Sequence, residues 1–147
     1  MENPFMIEAI KEACKALEIG EVPVGAIIVR DNKIISRAHN LRETENQATY
    51  HAEILCIEEA CRLLSTWRLN DCDLYVTLEP CPMCAGAIIN SRIRSVYFGA
   101  YDSKGGACGS VIDLFREGNF NHSPIVYAGI MEEACEKPLK EFFRNLR

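Results

Sequence analysis

The chain has 147 residues, a formal net charge of −5, 48% hydrophobic residues and 25% charged residues. This length fits one domain, residues 1–147, and no apolar run approaches the roughly 20 residues of a membrane-spanning helix. The acidic balance is unlike that of a protein that binds nucleic acid over a broad basic surface. The segment up to Ile19 mixes acids and lysines with apolar residues, which is unlike a signal peptide, so we expect a cytoplasmic protein without a membrane partner.

The first part of the chain predicts a helix followed by a hairpin. A helix is predicted from Pro4 to about Ile19, where Gly20 is placed to end it. Its apolar stripe consists of Ile7, Ile10, Cys14 and Leu17. Residues 25–30 and 33–38 are β-rich runs separated by a turn signal, Asp31-Asn32, so they predict two hairpin strands.

After a polar stretch, 40–49, which predicts a loop of the kind that often carries binding residues, helices and strands alternate. In chain order the sequence predicts a helix over 51–64, a strand over 73–78, a helix that starts at Pro80 to Pro82 and runs to about 89, a strand over 96–99, a short helix over 110–115, a strand over 125–128 and a helix over 132–146. Pro138 predicts a kink or a restart in the last helix.

This order of elements predicts the α/β class, as a three-layer α/β/α sandwich with a mixed five-stranded sheet. The last two connections between strands contain helical segments, so strands three, four and five could run parallel. Their crossovers should then be right-handed.

The eight cysteines predict metal ligation better than disulfides. Disulfides do not persist in a reducing compartment, so Cys81 and Cys84 are better explained as metal ligands. The other cysteines lie in apolar periodic segments, where a free cysteine behaves as a small hydrophobic residue. They are Cys14, Cys56, Cys61, Cys72, Cys108 and Cys135.

One imidazole and two thiols form the most specific pattern in the sequence. His51, Cys81 and Cys84 together suit a zinc ion, Zn²⁺, that is held on three sides and left open on the fourth, where a water molecule can be activated. The other histidines, His39 and His122, are not at finger-like spacing from the two cysteines. The pattern therefore favours a catalytic site over a structural one.

The spacing of these residues also predicts where they lie on their helices. Cys81 and Cys84 are three apart and share one helix face, with Pro82 in the first turn. Glu53 is only two residues from His51, so both side chains can point the same way only if His51 begins its helix. We therefore predict two helix N-termini side by side, with Glu53 placed to accept a proton from the bound water and to return it to the substrate.

These residues resemble the His-x-Glu and Pro-Cys-x-x-Cys signature of the cytidine deaminase-like superfamily. Longer segments resemble its tRNA-specific adenosine deaminase branch and span nearly the whole chain. These segments are Glu21-Val-Pro-Val-Gly-Ala26, Thr77-Leu-Glu-Pro-Cys-Pro-Met-Cys-Ala-Gly-Ala87, Ser91-Arg-Ile93, Phe98-Gly-Ala100, Asp102, Lys104-Gly-Gly106, Gly109-Ser110, Asn121-His122 and Phe142-Phe-Arg144. The resemblance implies deamination of adenosine to inosine at the wobble position of a tRNA anticodon.

The same resemblance implies roles for residues outside the metal motif. It implies that Asn40 holds the target nucleoside, while Val22 and Pro23 line the pocket. It also implies a homodimer, and contacts with the anticodon arm of tRNA from Asp102, Lys104, Phe143 and Arg144. By periodicity alone, however, Phe142 and Phe143 could equally be core residues of the last helix.

Two alternatives stay open on the sequence. A deaminase of a free nucleobase, such as guanine or cytosine, could carry the same Pro-Cys-Pro-Met-Cys run. A zinc-stabilised binding module without catalysis could also use His51, Cys81 and Cys84, but it would have no use for Glu53.

Overall fold

The computed structural model describes residues 1–146. Within them, helices and strands follow one another as α1 (Pro4–Glu18), β1 (Gly25–Arg30), β2 (Lys33–His39), α2 (Ala52–Leu64), β3 (Cys72–Leu78), α3 (Pro82–Ser91), β4 (Ser95–Ala100), α4 (Leu114–Glu117), β5 (Ile125–Tyr127) and α5 (Glu132–Asn145). No helix in this part of the chain is both long and apolar enough to cross a bilayer.

The five strands form one mixed sheet in the order β2-β1-β3-β4-β5. Strand β1 is antiparallel to both β2 and β3, whereas β3, β4 and β5 are parallel. Helices α1 and α5 contact each other and cover one face, and α2 packs on β1 and β2 and contacts α3. The predicted α/β/α sandwich with a mixed five-stranded sheet is confirmed.

The central strands are apolar on both faces because helices cover both sides of the sheet. Strand β1 is buried from Gly25 to Val29, and β3 is buried over most of its length. At the centre of the core are the fully buried side chains of Ile27, Ile28, Leu74, Ile88, Val96 and Phe98. This rigid sheet fixes the positions at which α2 and α3 begin.

Helix α1 buries a different stripe from the predicted one. Its buried apolar residues are Met6, Ala9, Ala13 and Ala16, whereas Cys14 is exposed. The small alanines let the helix approach the sheet closely, and a Cβ atom at Gly25 would lie 2.1 Å from the Ala9 carbonyl oxygen. The predicted stripe lies one position along: Ile7, Ile10 and Leu17 are partly buried, and only Cys14 contradicts the prediction.

Two other predictions about helices are corrected. The helix predicted over 110–115 is instead α4, because the Asp113 side chain accepts a hydrogen bond from the Arg116 amide and starts the helix there. Residues before it form a turn in which the amide of Val111 donates to the carbonyl of Gly106. Helix α5 is continuous through Pro138, so the predicted restart does not occur, whereas the kink stays a prediction.

All eight cysteines are free. Four of the six cysteines outside the Cys81–Cys84 segment are buried, as expected for small hydrophobic residues, and they are Cys56, Cys72, Cys108 and Cys135. Cys61 is partly buried.

Candidate metal centre and active site

His51 and Cys81 occupy equivalent positions, the N-caps of α2 and α3. Both have extended backbone angles, and neither side chain forms an N-cap hydrogen bond. An N-cap is normally a residue that satisfies the free amides of the first turn, such as serine or aspartate. Here the two side chains are free to point at each other, and the prediction of two adjacent helix N-termini is confirmed.

The imidazole and the two thiols form a compact donor set. The His51 Nδ1 atom lies 3.6 Å from the sulfur of Cys81 and 3.6 Å from the sulfur of Cys84. The ligand atoms of all three residues lie within 4.8 Å of one another, so this group could hold a metal ion. Pro82 occupies the first turn of α3, where a missing N–H costs no helical hydrogen bond.

The two thiols differ sharply in acidity. A hydrogen bond from the Cys84 thiol lowers the pKa of Cys81 to about 4 against the effect of burial, and His51 adds to this shift. Cys81 in turn raises the pKa of Cys84, and burial raises it further. Without a cation, Cys81 is therefore the thiol that loses its proton more easily, and Cys84 keeps its proton. A bound cation would favour deprotonation of both sulfurs.

Glu53, in the first turn of α2, lies beside this donor set. Its side chain is 3% exposed. Burial raises the pKa of Glu53 to about 7, against the attraction of the nearby His51 ring. A carboxylate with such a pKa can both accept and release a proton near neutral pH.

A cavity of about 210 Å³ opens onto these residues. His51, Glu53 and Cys81 are among its lining residues. The remaining walls are Glu21, Val22, Val24, Asn40, Arg42, Glu43, Ala52, Leu78, Glu79 and Asp102. A small molecule or a single base in this cavity would meet the histidine, the thiol and the buried carboxylate together.

Comparison with known proteins shows similar sequences and a similar fold over nearly the whole chain. The sequence model of a family described as MafB19-like deaminase matches residues 2–147. The tRNA-specific adenosine deaminase of Bacillus subtilis (strain 168) is 57% identical over 143 residues, which are 97% of this chain and 89% of that protein. The chain belongs to this deaminase family.

Solved structures agree with this membership. One structure, from a study of A-to-I editing by tRNA:A34 deaminases at the wobble position of tRNA, has a TM-score of 0.91 with this deaminase. It is 46% identical, and the alignment covers 94% of this chain and 100% of that chain. Guanine deaminase from Bacillus subtilis has a TM-score of 0.66 at 32% identity, over 99% of this chain and 95% of that one.

Of the three residues of the deaminase that were expected in the pocket, two line the cavity and one does not. Asn40 and Val22 line the cavity, whereas Pro23 is buried beside it and is not part of the wall. The Asn40 amide nitrogen donates to the Val22 carbonyl at 3.3 Å, and its oxygen accepts from the Arg42 amide at 3.1 Å. Asn40 therefore ties together two segments of the cavity wall.

The four residues expected to contact RNA are divided between two parts of the deaminase. Asp102 lines the cavity, and Lys104 is exposed two residues further along the same loop. Phe143 and Arg144 are exposed on α5, outside the cavity lining. The Phe142 ring is half-buried and packs edge-on against Phe143, so Phe142 is the member of this pair that faces the protein.

Sequence reasoning assigned no role to two buried carboxylates of the cavity wall. Glu21 is 1% exposed and Glu79 is 2% exposed. Glu21 accepts hydrogen bonds from the amides of Glu43 and Thr44 and from the Thr44 hydroxyl. Glu79 accepts a hydrogen bond from the amide of Asp102, in the loop that follows β4. The available signal was the position of Glu79, directly between a buried strand and the Pro80–Cys84 segment.

Proposed function

We propose that residues 1–147 form a single zinc-dependent deaminase domain that converts adenosine to inosine at the wobble position of a tRNA anticodon. The observation that carries this proposal is the placement of the buried Glu53 carboxylate beside the donors His51, Cys81 and Cys84, with His51, Glu53 and Cys81 lining one small cavity. The tRNA substrate is supported by the Bacillus subtilis relative and by the A34 deaminase structure.

The donor set fits zinc in both chemistry and spacing. Zinc bonds of about 2.3 Å to sulfur and about 2.0–2.1 Å to nitrogen, at a tetrahedral angle, place the two donor atoms about 3.6 Å apart. The His51 nitrogen lies 3.6 Å from each of the two sulfurs. When bound by His51, Cys81 and Cys84, zinc would supply a Lewis acid that activates a water molecule in its fourth position.

Glu53 would carry the proton in this reaction. Its carboxylate, which is buried and lines the cavity, accepts a proton from the attacking water. It then returns the proton to the N1 atom of the purine and assists protonation of the leaving amine. Adenosine and water thereby give inosine and ammonia.

The cavity is suited to one flipped-out nucleoside. Its volume of about 210 Å³ is below the range of about 300–1,000 Å³ that is typical of sites for larger ligands. A base that is unstacked from an anticodon loop can enter such a recess, whereas a paired base cannot reach it. Asn40 holds the nucleoside in this proposal, and Val22 lines the recess, with the buried Pro23 behind it.

RNA recognition would rest on local features rather than on overall charge. The net charge of −5 disfavours a broad phosphate-binding surface. Asp102 and Lys104 beside the cavity, with Phe143 and Arg144 on α5, would contact the anticodon arm. An exposed aromatic ring and a few cations suffice to recognise unpaired bases.

A homodimer in the cytoplasm completes the proposal. Five large apolar side chains between residues 111 and 127 are exposed, and contact with a second chain would remove them from water. They are Val111, Ile112, Phe120, Ile125 and Tyr127. A second copy of the chain would bury part of this surface, and sedimentation of the purified protein tests for it.

The substrate is tested by incubating the purified, metal-analysed protein with an anticodon stem-loop that has adenosine at the wobble position. Parallel reactions contain guanine, cytosine or free adenosine, and a stem-loop with guanosine at that position is the matched control. Inosine in the stem-loop, with an equal amount of ammonia, is the expected result. Ammonia from a free base, without inosine in the stem-loop, would show that the free-nucleobase alternative is correct.

A further inference from the structure

A single buried carboxylate anchors the loop formed by residues 101–110. Glu79 directly follows β3, and its two oxygens accept hydrogen bonds from the backbone amides of Asp102, Cys108 and Ser110, each at 3.0 Å. The Ser110 hydroxyl is a fourth donor. Four donors from one loop therefore converge on one carboxylate, which offers only acceptor atoms.

The loop is also shaped to fit this carboxylate. A Cβ atom at Gly106 would lie 2.3–2.5 Å from the three atoms of the Glu79 carboxylate group. A side chain there would force the loop away from Glu79, because the contacted carboxylate is held in place by four hydrogen bonds from the loop. Glycine at this position thus permits the close approach that the hydrogen bonds need.

The same segment joins the loop to the metal centre. The carbonyl of Pro80, the residue before Cys81, accepts a hydrogen bond from the Ala107 amide at 2.8 Å. The amide of Glu79 donates to the Ala100 carbonyl at 2.9 Å. The 101–110 loop is therefore hydrogen-bonded to Glu79 and Pro80, the two residues that precede Cys81.

We propose that Glu79 is a positioning residue that fixes the 101–110 loop relative to the metal centre and so shapes the substrate side of the cavity. It places Asp102 in the cavity wall, and the Asp102 carboxylate in turn accepts from the amides of Lys104 and Gly105 at 3.1 and 3.0 Å. Lys104 is then presented on a defined turn beside the cavity. The part that concerns RNA rests on the proposed function, whereas the anchoring of the loop does not.

A carboxylate is required because every neighbour of its oxygens is a donor. In Glu79→Gln one oxygen becomes an NH₂ group, which must face either the Asp102 amide or the amides of Cys108 and Ser110. Two donors that face each other cannot form a hydrogen bond, so this nearly isosteric change should release part of the loop. Gly106→Ala disrupts the same contact from the loop side, because its Cβ would collide with the Glu79 carboxylate. Ser110→Ala is a milder change that removes only the hydroxyl donor.

The experiment combines amide hydrogen exchange with steady-state kinetics on the full-length, metal-loaded protein. Exchange is measured in the wild type, Glu79→Gln, Gly106→Ala and Ser110→Ala, and metal content is measured in each. Glu21→Gln is the matched control, because Glu21 is a buried carboxylate that holds residues 43–44 on another wall of the cavity. Kinetics use the anticodon stem-loop with adenosine at the wobble position.

We expect faster exchange in residues 102–110 of Glu79→Gln and Gly106→Ala, a smaller change in Ser110→Ala, and unchanged metal content. Glu21→Gln should instead speed amide exchange in residues 43–44. KM for the stem-loop should rise about tenfold or more in Glu79→Gln, with kcat reduced less than about threefold, because the loop contributes to binding rather than to proton transfer. Combining Glu79→Gln with Gly106→Ala should add little, because both remove the same contact.

Unchanged exchange in residues 102–110 of both Glu79→Gln and Gly106→Ala would overturn the proposal. Loss of metal with normal exchange in the loop would also overturn it, since Glu79 would then serve the metal centre directly. If Glu79→Gln does not fold, Gly106→Ala and Ser110→Ala decide the question by the same readings. If the wild-type protein leaves the stem-loop unchanged, the proposed substrate is wrong, and amide exchange alone then decides the role of Glu79.

Discussion

The imidazole of His51 and the sulfur of Cys81 meet at 3.6 Å although they begin different helices. Each occupies an N-cap without capping its helix, so each gives up a local hydrogen bond that serine or aspartate would form there. Natural sequences depart from such local preferences mainly at functional sites. The contact between two N-caps is therefore a feature of the site rather than of helix stability.

The first prediction concerns Glu53. Glu53→Gln should keep the metal, because the substitution leaves His51, Cys81 and Cys84 in place, and kcat should fall by about 10²–10⁴-fold through loss of the proton carrier. Inosine formation in the stem-loop and metal analysis measure the two effects. Glu58→Gln, an exposed change on the same helix, is the control that should retain full activity. Normal turnover by metal-loaded Glu53→Gln would contradict the role given to this carboxylate.

The second prediction concerns acid stability through Glu21. Burial raises the pKa of this carboxyl group, but hydrogen bonds from Thr44 and Glu43 outweigh burial and hold the pKa below its ordinary value of 4.5. A lowered folded-state pKa contributes stability above pH 4.5, and this contribution is lost as the pH falls through the folded-state value.

Urea unfolding of the wild type and Glu21→Gln at several pH values measures this contribution. At pH 7 the variant should be less stable by about 1.5–3 kcal/mol, the range for hydrogen bonds to a charged group. The difference should shrink as the pH falls below 4.5, because the wild-type carboxylate then takes up a proton, first in the unfolded chain and, at its lower pKa, in the folded protein. Glu18→Gln, at an exposed position of α1, should show no such pH dependence. A constant difference from pH 7 to pH 3 would contradict the assignment.

The third prediction concerns the contact between α1 and β1. Gly25→Ala should destabilise the protein by about 1–3 kcal/mol, because the new Cβ would lie 2.1 Å from the Ala9 carbonyl oxygen. Gly86→Ala is the matched control inside α3, where a Cβ atom meets nothing within 4 Å. It should stabilise the protein by up to about 1 kcal/mol through helix propensity. Thermal unfolding that ranks these two variants in the opposite order would show that the helix does not pack this closely.

The fourth prediction concerns Asn40. Asn40→Ala removes hydrogen bonds to the Val22 carbonyl and from the Arg42 amide, and it also removes the amide proposed to hold the nucleoside. We expect KM for the stem-loop to rise by about one order of magnitude or more, since each such bond is worth about 0.5–1.5 kcal/mol. Asn90→Ala, an exposed change on α3, should leave KM unaltered. An unchanged KM in Asn40→Ala would remove Asn40 from the binding site.

Much of the fold follows from the sequence because its patterns are local. Alternating β-rich runs and periodic helices define the order of the elements, and His51 and Glu53 can point the same way only at a helix start. Cys81 and Cys84 are three residues apart, a spacing that places both sulfurs on one helix face and is typical of a metal site. These features needed no knowledge of distant contacts.

The remaining features depend on contacts that are distant in sequence. The buried stripe of α1 is chosen by how closely Ala9 approaches Gly25, which hydrophobic periodicity alone cannot show. Glu21 and Glu79 are charged residues that a sequence pattern places at the surface. They can be buried because backbone amides from the 43–44 and 102–110 segments donate hydrogen bonds to their carboxylates.

Metal-ligand variants provide the fifth prediction. Cys84→Ser and His51→Ala should each lose most of the bound zinc, because a three-residue site cannot spare a ligand. Cys61→Ser, at a partly buried cysteine of α2, should keep it. Elemental analysis of the purified proteins gives zinc per chain directly. A Cys84→Ser protein that still binds one zinc per chain would show that the ion lies elsewhere.

X-ray absorption at the zinc edge of the purified wild-type protein tests the central claim most directly, because it counts the atoms around the ion. We predict two sulfur neighbours at about 2.3 Å and two nitrogen or oxygen neighbours at about 2.0–2.1 Å, from His51, Cys81, Cys84 and one water molecule. Three or four sulfur neighbours, or a protein without stoichiometric zinc, would contradict an open catalytic centre at the meeting point of α2 and α3.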